Sequence, residues 1–228
     1  MEQRNHIIIY SISYLLFFAM LLMSKRRHGN RLFDERGKVS NQKILLLLHI
    51  TGILLFGVLS ATFSALRLDE IVFGKSSPGD LPVLVSVFFV LLAMFVAPMV
   101  AEKKFILMKV NESAITSFSP GFIANYFLLR VIFLMAYELW FRGYLLTDCI
   151  SRWGIMVAIV VNIALYVLLH CVNGKDEMRA CVPLGLLLCI LCAWTGAAWP
   201  AIAIHIALAV GYEAHIVKRI NKPSISLI

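Results

Sequence analysis

Charge is scarce in this sequence. Asp, Glu, Lys and Arg make up only 15% of its 228 residues, against 61% hydrophobic, and the mean hydropathy is +0.86. A water-soluble domain of this length cannot bury so much apolar surface, whereas a bilayer accepts it as the solvent of helix exteriors. No Ser-, Pro- or Gly-rich stretch and no run of like charge separates two halves, so a single membrane domain is expected. The chain also lacks an internal repeat with a period of roughly 20 to 50 residues and any low-complexity tract. A transporter built from duplicated halves with matched broken helices has no support for that reason. Five cysteines are present, and Cys189 and Cys192 form a CxxC, but it lies inside the apolar run PLGLLLCILCAW with no second pair to complete a zinc tetrahedron. Two small residues on a packing face is the expected reading. No HExxH occurs, and no small-residue cleavage site follows the first apolar run, so that run is read as a retained span rather than a signal peptide.

What is present in quantity is apolar runs. Seven of them, at about 7–23, 44–66, 82–100, 122–148, 155–173, 180–195 and 199–217, predict an all-α polytopic bundle of seven spans. The net charge of +8 would favour nucleic acid in a soluble protein, but here the cations sit between runs. Odd-numbered loops and the C-terminal tail hold Lys25, Arg26, Arg27, Arg31, Arg36, Lys38, Lys43, Lys103, Lys104, Lys109, Lys175, Arg179, Lys218, Arg219 and Lys222. The N-terminal tail and even-numbered loops hold Arg4, Arg67, Lys75 and Arg152. That asymmetry predicts the N-terminus outside and the C-terminus inside. Residues 105–120 are moderately apolar and are expected to lie along the inner interface. Turns are marked by Arg152-Trp153-Gly154, by Asn173-Gly174, and by Thr195-Gly196 ahead of Pro200.

Ionisable side chains inside spans are costly and are functional candidates by default. Glu138, Arg142, His170 and His205 lead the set, with His49, Arg130, Asp148, Glu213 and His215 behind them. Glu138 and Arg142 are four apart, hence neighbours on one helix face in the favourable order, and an ion pair that lowers its own insertion cost is the plain alternative to function. Glu138 is sixteen residues before Gly154 and His170 sixteen after it, so an antiparallel hairpin puts them at one depth, about 24 Å below the turn. His205, nine residues after Gly196, counts to about 14 Å, some 10 Å shallower than its expected partners. His49 and Arg130 lie near inner span ends and can snorkel, Asp148 and His215 are also near ends, and Asn162 is expected to make a helix–helix hydrogen bond.

Three segments carry a resemblance. Glu138-Leu139-Trp140-Phe141-Arg142-Gly143 resembles the E-x-x-x-R-G core of the CAAX-protease and bacteriocin-processing family (CPBP, or Abi). Tyr166-Val167-Leu168-Leu169-His170 resembles its second motif, and Thr195-Gly196 through Trp199-Pro200 to His205 its third, in the same order and spacing. The resemblance spans roughly residues 120–217. It implies an intramembrane peptidase in which a glutamate and the second-motif histidine activate a water. On that basis His170 assists the base, His205 steadies the oxyanion, and Arg142 holds Glu138 and shapes the site. The sequence departs from the family pattern twice: Tyr137 stands where the first of two adjacent glutamates is usual, and Ala209 where an asparagine is usual.

The resulting expectations are an N-terminal transmembrane region over 1–120, a CPBP/Abi-like core over 121–217 and a basic tail over 218–228. The expected function is an endopeptidase acting on a membrane-associated peptide or protein, with catalytic candidates Glu138, Arg142, His170 and His205, and with no cofactor, bound metal or nucleic acid. The alternatives are a catalytically inactive module in peptide-toxin immunity or partner binding, and a metal-dependent hydrolase using Glu138, His170 and His205. The lipid bilayer is the expected surrounding, and the resemblance implies a bacterial cytoplasmic membrane, crossed several times.

Overall fold

Each of the seven apolar runs becomes a helix long and apolar enough to cross a bilayer. The computed structural model describes residues 2–33, 41–63, 67–75, 78–107 and 118–221, and among them the structure is all-helical apart from turns and one isolated bridge residue. Helix α1 is Glu2–Arg26, ending on its basic residues. Helix α2 (Gln42–Gly52) starts on the Asn41 side-chain cap, passes through a π-helical turn at Ile53–Val58 and finishes as α3 (Leu59–Phe63). A short helix, α4 (Leu68–Phe73), precedes α5 (Asp80–Leu107). The fourth span is α6 (Pro120–Glu138), a second π-helical turn (Leu139–Leu145) and α7 (Leu146–Trp153). Then come α8 (Ile155–His170), α9 (Lys175–Thr195) and α10 (Trp199–Ile220).

The turns fall where expected and have a backbone cause. Gly154 (φ +79°) and Gly196 (φ +66°) adopt conformations that L side chains resist, so glycine ends α7 and α9, and Pro200 opens α10 where its missing amide is not needed. The expected span ends extend by a few residues: the third helix runs on to Leu107 and the sixth starts at Lys175. The interfacial stretch proposed for 105–120 falls largely outside the described residues, and its first three positions belong to α5.

Seven such helices make this an integral, multi-pass membrane protein. The tightest helix pair is α5 against α10, because its seam is made of small residues. Ala97 and Ala101 are almost fully enclosed, and a Cβ on Gly211 would stand 3.1 Å from that of Ala97. Tyr14 ties α1 to α8 by donating to the Leu165 carbonyl at 2.8 Å. Outward-facing Leu15, Phe88, Phe95 and Met156 are more than half exposed, which suits acyl chains and not water. The core between helices is aromatic: Phe17, Phe56, Phe133, Tyr137, Trp140 and Phe141 form one set of tilted and edge-to-face contacts that lines the wall of the polar site.

Candidate functional site

Glu138 is the last residue of α6 and Arg142 lies in the π-helical turn after it, and neither side chain has any exposed surface. Arg142 Nη1 donates to both carboxylate oxygens of Glu138, at 3.2 and 2.9 Å. The same carboxylate is met from α10 by His205, whose Nδ1 hydrogen-bonds Oε1. An ionised carboxylate only accepts, so the proton of this bond sits on His205 Nδ1, and Nε2 is the ring nitrogen left for other partners. The Arg142 guanidinium stacks over Tyr166 with its carbon 4.3 Å from the ring centre, a cation–π contact in a water-poor interior.

His170 comes from the end of α8. Its Nδ1 is 2.8 Å from the Tyr166 carbonyl, which can only accept, so this imidazole too is protonated on Nδ1 and leaves Nε2 as its basic nitrogen. Its ring packs on Tyr166 at 4.6 Å, and the other side of the tyrosine environment is His205 at 6.3 Å and Tyr137 at 6.1 Å between ring centres. Four of the sequence-derived candidates therefore gather around Tyr166. Glu138, Arg142 and His205 are in direct contact, while His170 joins through the tyrosine.

That arrangement corrects the depth count. Glu138 and His205 were expected to be about 10 Å apart in depth, yet they hydrogen-bond. The count treated the turns at Gly154 and Gly196 as level. The fourth span is 34 residues, which as a straight helix would be about 51 Å, well beyond a hydrocarbon core of about 30 Å. Its Gly154 end therefore reaches beyond the Gly196 turn, and residues counted down from it arrive at the same level as His205.

Tyr137, at the first departure from the family pattern, is fully packed. Its ring meets Phe141 at 4.7 Å, Phe133 and Phe56 at 5.7 Å and His205 at 5.8 Å, and its hydroxyl is buried without a hydrogen-bond partner. Ala209, at the second, is half-buried and brings no donor. Gly143 of the first motif has a steric reason: a Cβ there would run into the Ile71 side chain of α4, whose carbonyl accepts the Ala198 amide at 2.9 Å. The short helix α4 is thus fastened across one end of the site, on both the first and the third motif.

The secondary candidates form their own pairs. Arg130 has a partner: its Nε and Nη2 hold Glu213 at 3.3 and 3.0 Å, and Tyr126 donates to the same carboxylate at 2.9 Å. His49 is buried edge-on to Tyr126 and Phe133, with Nδ1 2.7 Å from the Leu45 carbonyl and Nε2 unpartnered. Asp148 pairs with Arg152 at 3.0 Å, and His215 with Glu102 at 2.8 Å. Sequence reasoning missed Tyr126 and Glu102; the four-residue step from Tyr126 to Arg130 was the available signal for the first. Among the described residues no group of three or more His, Cys, Asp or Glu side chains is disposed to hold a metal ion, because His170 is turned to its own helix backbone and Glu138 is engaged by Arg142. All five cysteines are free, and Cys189 and Cys192 pack in the core as expected.

The family model described as type II CAAX prenyl endopeptidase Rce1-like matches residues 119–210. The chain carries an Rce1-like domain. No curated protein and no solved structure gives a match. The matched stretch of the Rce1-like domain starts at the N-cap of α6 and takes in Glu138, Arg142, His170 and His205, and its helices α6 to α10 form the polar pocket. The first three spans and α4 lie outside the match; Phe17 and Phe56 of the first two spans join the aromatic wall, and α4 supplies the end cover.

Proposed function

We propose that this protein is an intramembrane endopeptidase in which Glu138 and His205 work as a carboxylate–imidazole dyad. The observation that carries the reading is the bond from His205 Nδ1 to a carboxylate with no exposed surface. A carboxylate behind Nδ1 fixes the tautomer, leaves Nε2 as the base and stabilises the imidazolium once a proton has been taken. Arg142 keeps Glu138 ionised in place, and its cation–π seat on Tyr166 fixes the pair against α8. The His205 side chain retains about 12% of its surface, so the dyad is not sealed as Glu138 is.

In the proposed reaction a water gives a proton to His205 Nε2 as its oxygen attacks a peptide carbonyl carbon. The carbon–nitrogen bond then breaks, and the imidazolium returns the proton to the leaving amine. His170 is the second imidazole of the pocket and orients the water or the carbonyl. The assignment differs from the family-derived one, in which Glu138 is the base and His170 its helper, because the carboxylate is already committed to Arg142 and a doubly engaged carboxylate is a weak base. The substrate class is a membrane-associated peptide or protein, and the setting is a cell membrane.

The test uses the full chain in lipid nanodiscs with a library of fluorophore-tagged peptides bearing a saturated acyl anchor, read by mass spectrometry of products. Wild type should cleave, and His205→Gln and Glu138→Gln should each lose about 10²- to 10⁴-fold in kcat, the usual contribution of a positioned base. Equal turnover by all three would overturn the dyad.

The packing of Tyr137 favours a second reading, a non-catalytic membrane module that keeps the polar cluster for structure. Tyr137→Glu separates the two. If wild type is inert and this variant cleaves, the native chain is the module.

A further inference from the structure

Asn162 lies on α8 one turn before Tyr166 and two before His170, so all three share the face that α8 turns toward the pocket. It is fully enclosed, and both ends of its amide are used. Nδ2 donates to the Phe141 carbonyl at 2.5 Å, and the Cys189 thiol of α9 donates to Oδ1 at 3.3 Å. Phe141 belongs to the π-helical turn, and its carbonyl also takes the amide of Leu146, five residues on, where an α-helix would use the residue four on. A turn of this kind offsets the helix on its N-terminal side from the helix on its C-terminal side by about one residue, or ~100° of rotation. It therefore decides how Glu138, just before the turn, is aimed relative to the rest of the span. Phe141 also separates Glu138 from Arg142 in the chain, so a hold on its carbonyl is a hold on the segment that carries both charges.

We propose that Asn162 is a positioning residue: its amide pins the Phe141 carbonyl of the π-helical turn and so sets the geometry of the Glu138–Arg142–His205 cluster, with Cys189 fixing the amide's orientation. The turnover part of this proposal rests on the peptidase reading; the geometric part does not.

Asn162→Leu removes both bonds at similar size, and Asn162→Asp keeps the acceptor for Cys189 but loses the donor to Phe141. Cys189→Ala and Cys189→Ser make a milder pair, in which only serine retains a donor for the amide. Glu138 is observed directly by infrared difference spectroscopy, full chain minus Glu138→Gln, which isolates its carboxylate stretches. The expected result is that Asn162→Leu and Asn162→Asp shift those bands and lower kcat about 100-fold with KM within about twofold, as for a misplacement near 1 Å. Cys189→Ala should move the bands in the same direction, and Cys189→Ser should restore them. Unchanged bands in a folded Asn162→Leu protein, or identical bands in the two Cys189 variants if Asn162→Leu does not fold, overturn the proposal. Shifted bands in a chain with no turnover uphold the positioning role and remove the peptidase.

Discussion

Removing the Glu138 carboxylate should destabilise the fold far more than an ordinary polar substitution. Both members of the Glu138–Arg142 pair have fully buried side chains, and Arg142 spends only Nη1 on Glu138, while its buried Nε and Nη2 make no geometric hydrogen bond among the described residues. In Glu138→Ala the guanidinium keeps its seat over Tyr166, worth about 2 kcal/mol when desolvated, but loses the carboxylate that compensates its charge. Breaking one side of a buried pair costs about 3–5 kcal/mol, so the expected loss lies in that range. Glu138→Gln retains an oxygen for Arg142 and should cost about 1–3 kcal/mol, the penalty of an imperfectly satisfied buried group. The double variant Glu138→Leu/Arg142→Met removes both charges and should recover most of the loss, because apolar replacement of a buried pair is often close to neutral. Reversible unfolding by sodium dodecyl sulfate in mixed micelles, followed through tryptophan fluorescence, gives all four free energies, and Trp140 is a reporter beside the cluster. A cost below about 1 kcal/mol for Glu138→Ala, or a double variant no more stable than Glu138→Ala, would refute a coupled buried pair.

The geometry and the charge pattern set two other outcomes. Gly143→Ala should destabilise by about 1–3 kcal/mol through overlap with Ile71, although alanine normally gains up to about 1 kcal/mol over glycine within a helix; Ile71→Ala in the same chain should reverse the sign, as read in the same unfolding titration. The cation asymmetry predicts that Lys75→Cys is labelled by a membrane-impermeant maleimide from outside intact cells and Lys103→Cys only after permeabilisation, and the opposite pattern would invert the topology.

The seven spans were legible because apolar length is a signal that needs no partner, and the turns were legible because Gly154, Gly174 and Gly196 carry positive φ. The site was legible in membership but not in pairing. Glu138, Arg142, His170 and His205 stand out as costly residues in lipid, yet counting residues from the turns paired Glu138 with His170, and the structure pairs it with His205. The reason is that depth depends on how far each hairpin projects, which is set by packing between helices and not by the local run of residues. The two π-helical turns were likewise invisible, since Leu139–Leu145 and Ile53–Val58 have no proline or glycine pattern that demands them, and the partner that holds the Phe141 carbonyl is twenty-one positions away. The pairing of Arg130 went unread for a similar reason: Glu213 lies on another helix, 83 positions away.

The backbone bond from Ala198 to Ile71 has a consequence for traffic. A segment stitched to both the first and the third motif would stop one end of the proposed site, like the cork of a vessel that fills and drains elsewhere. Under the proposed peptidase reading, a scissile chain would have to enter sideways between helices or from the lysine-rich side, and both fragments would have to leave by those same routes. Cleavage in such a vessel would then release its products on the side from which the substrate came.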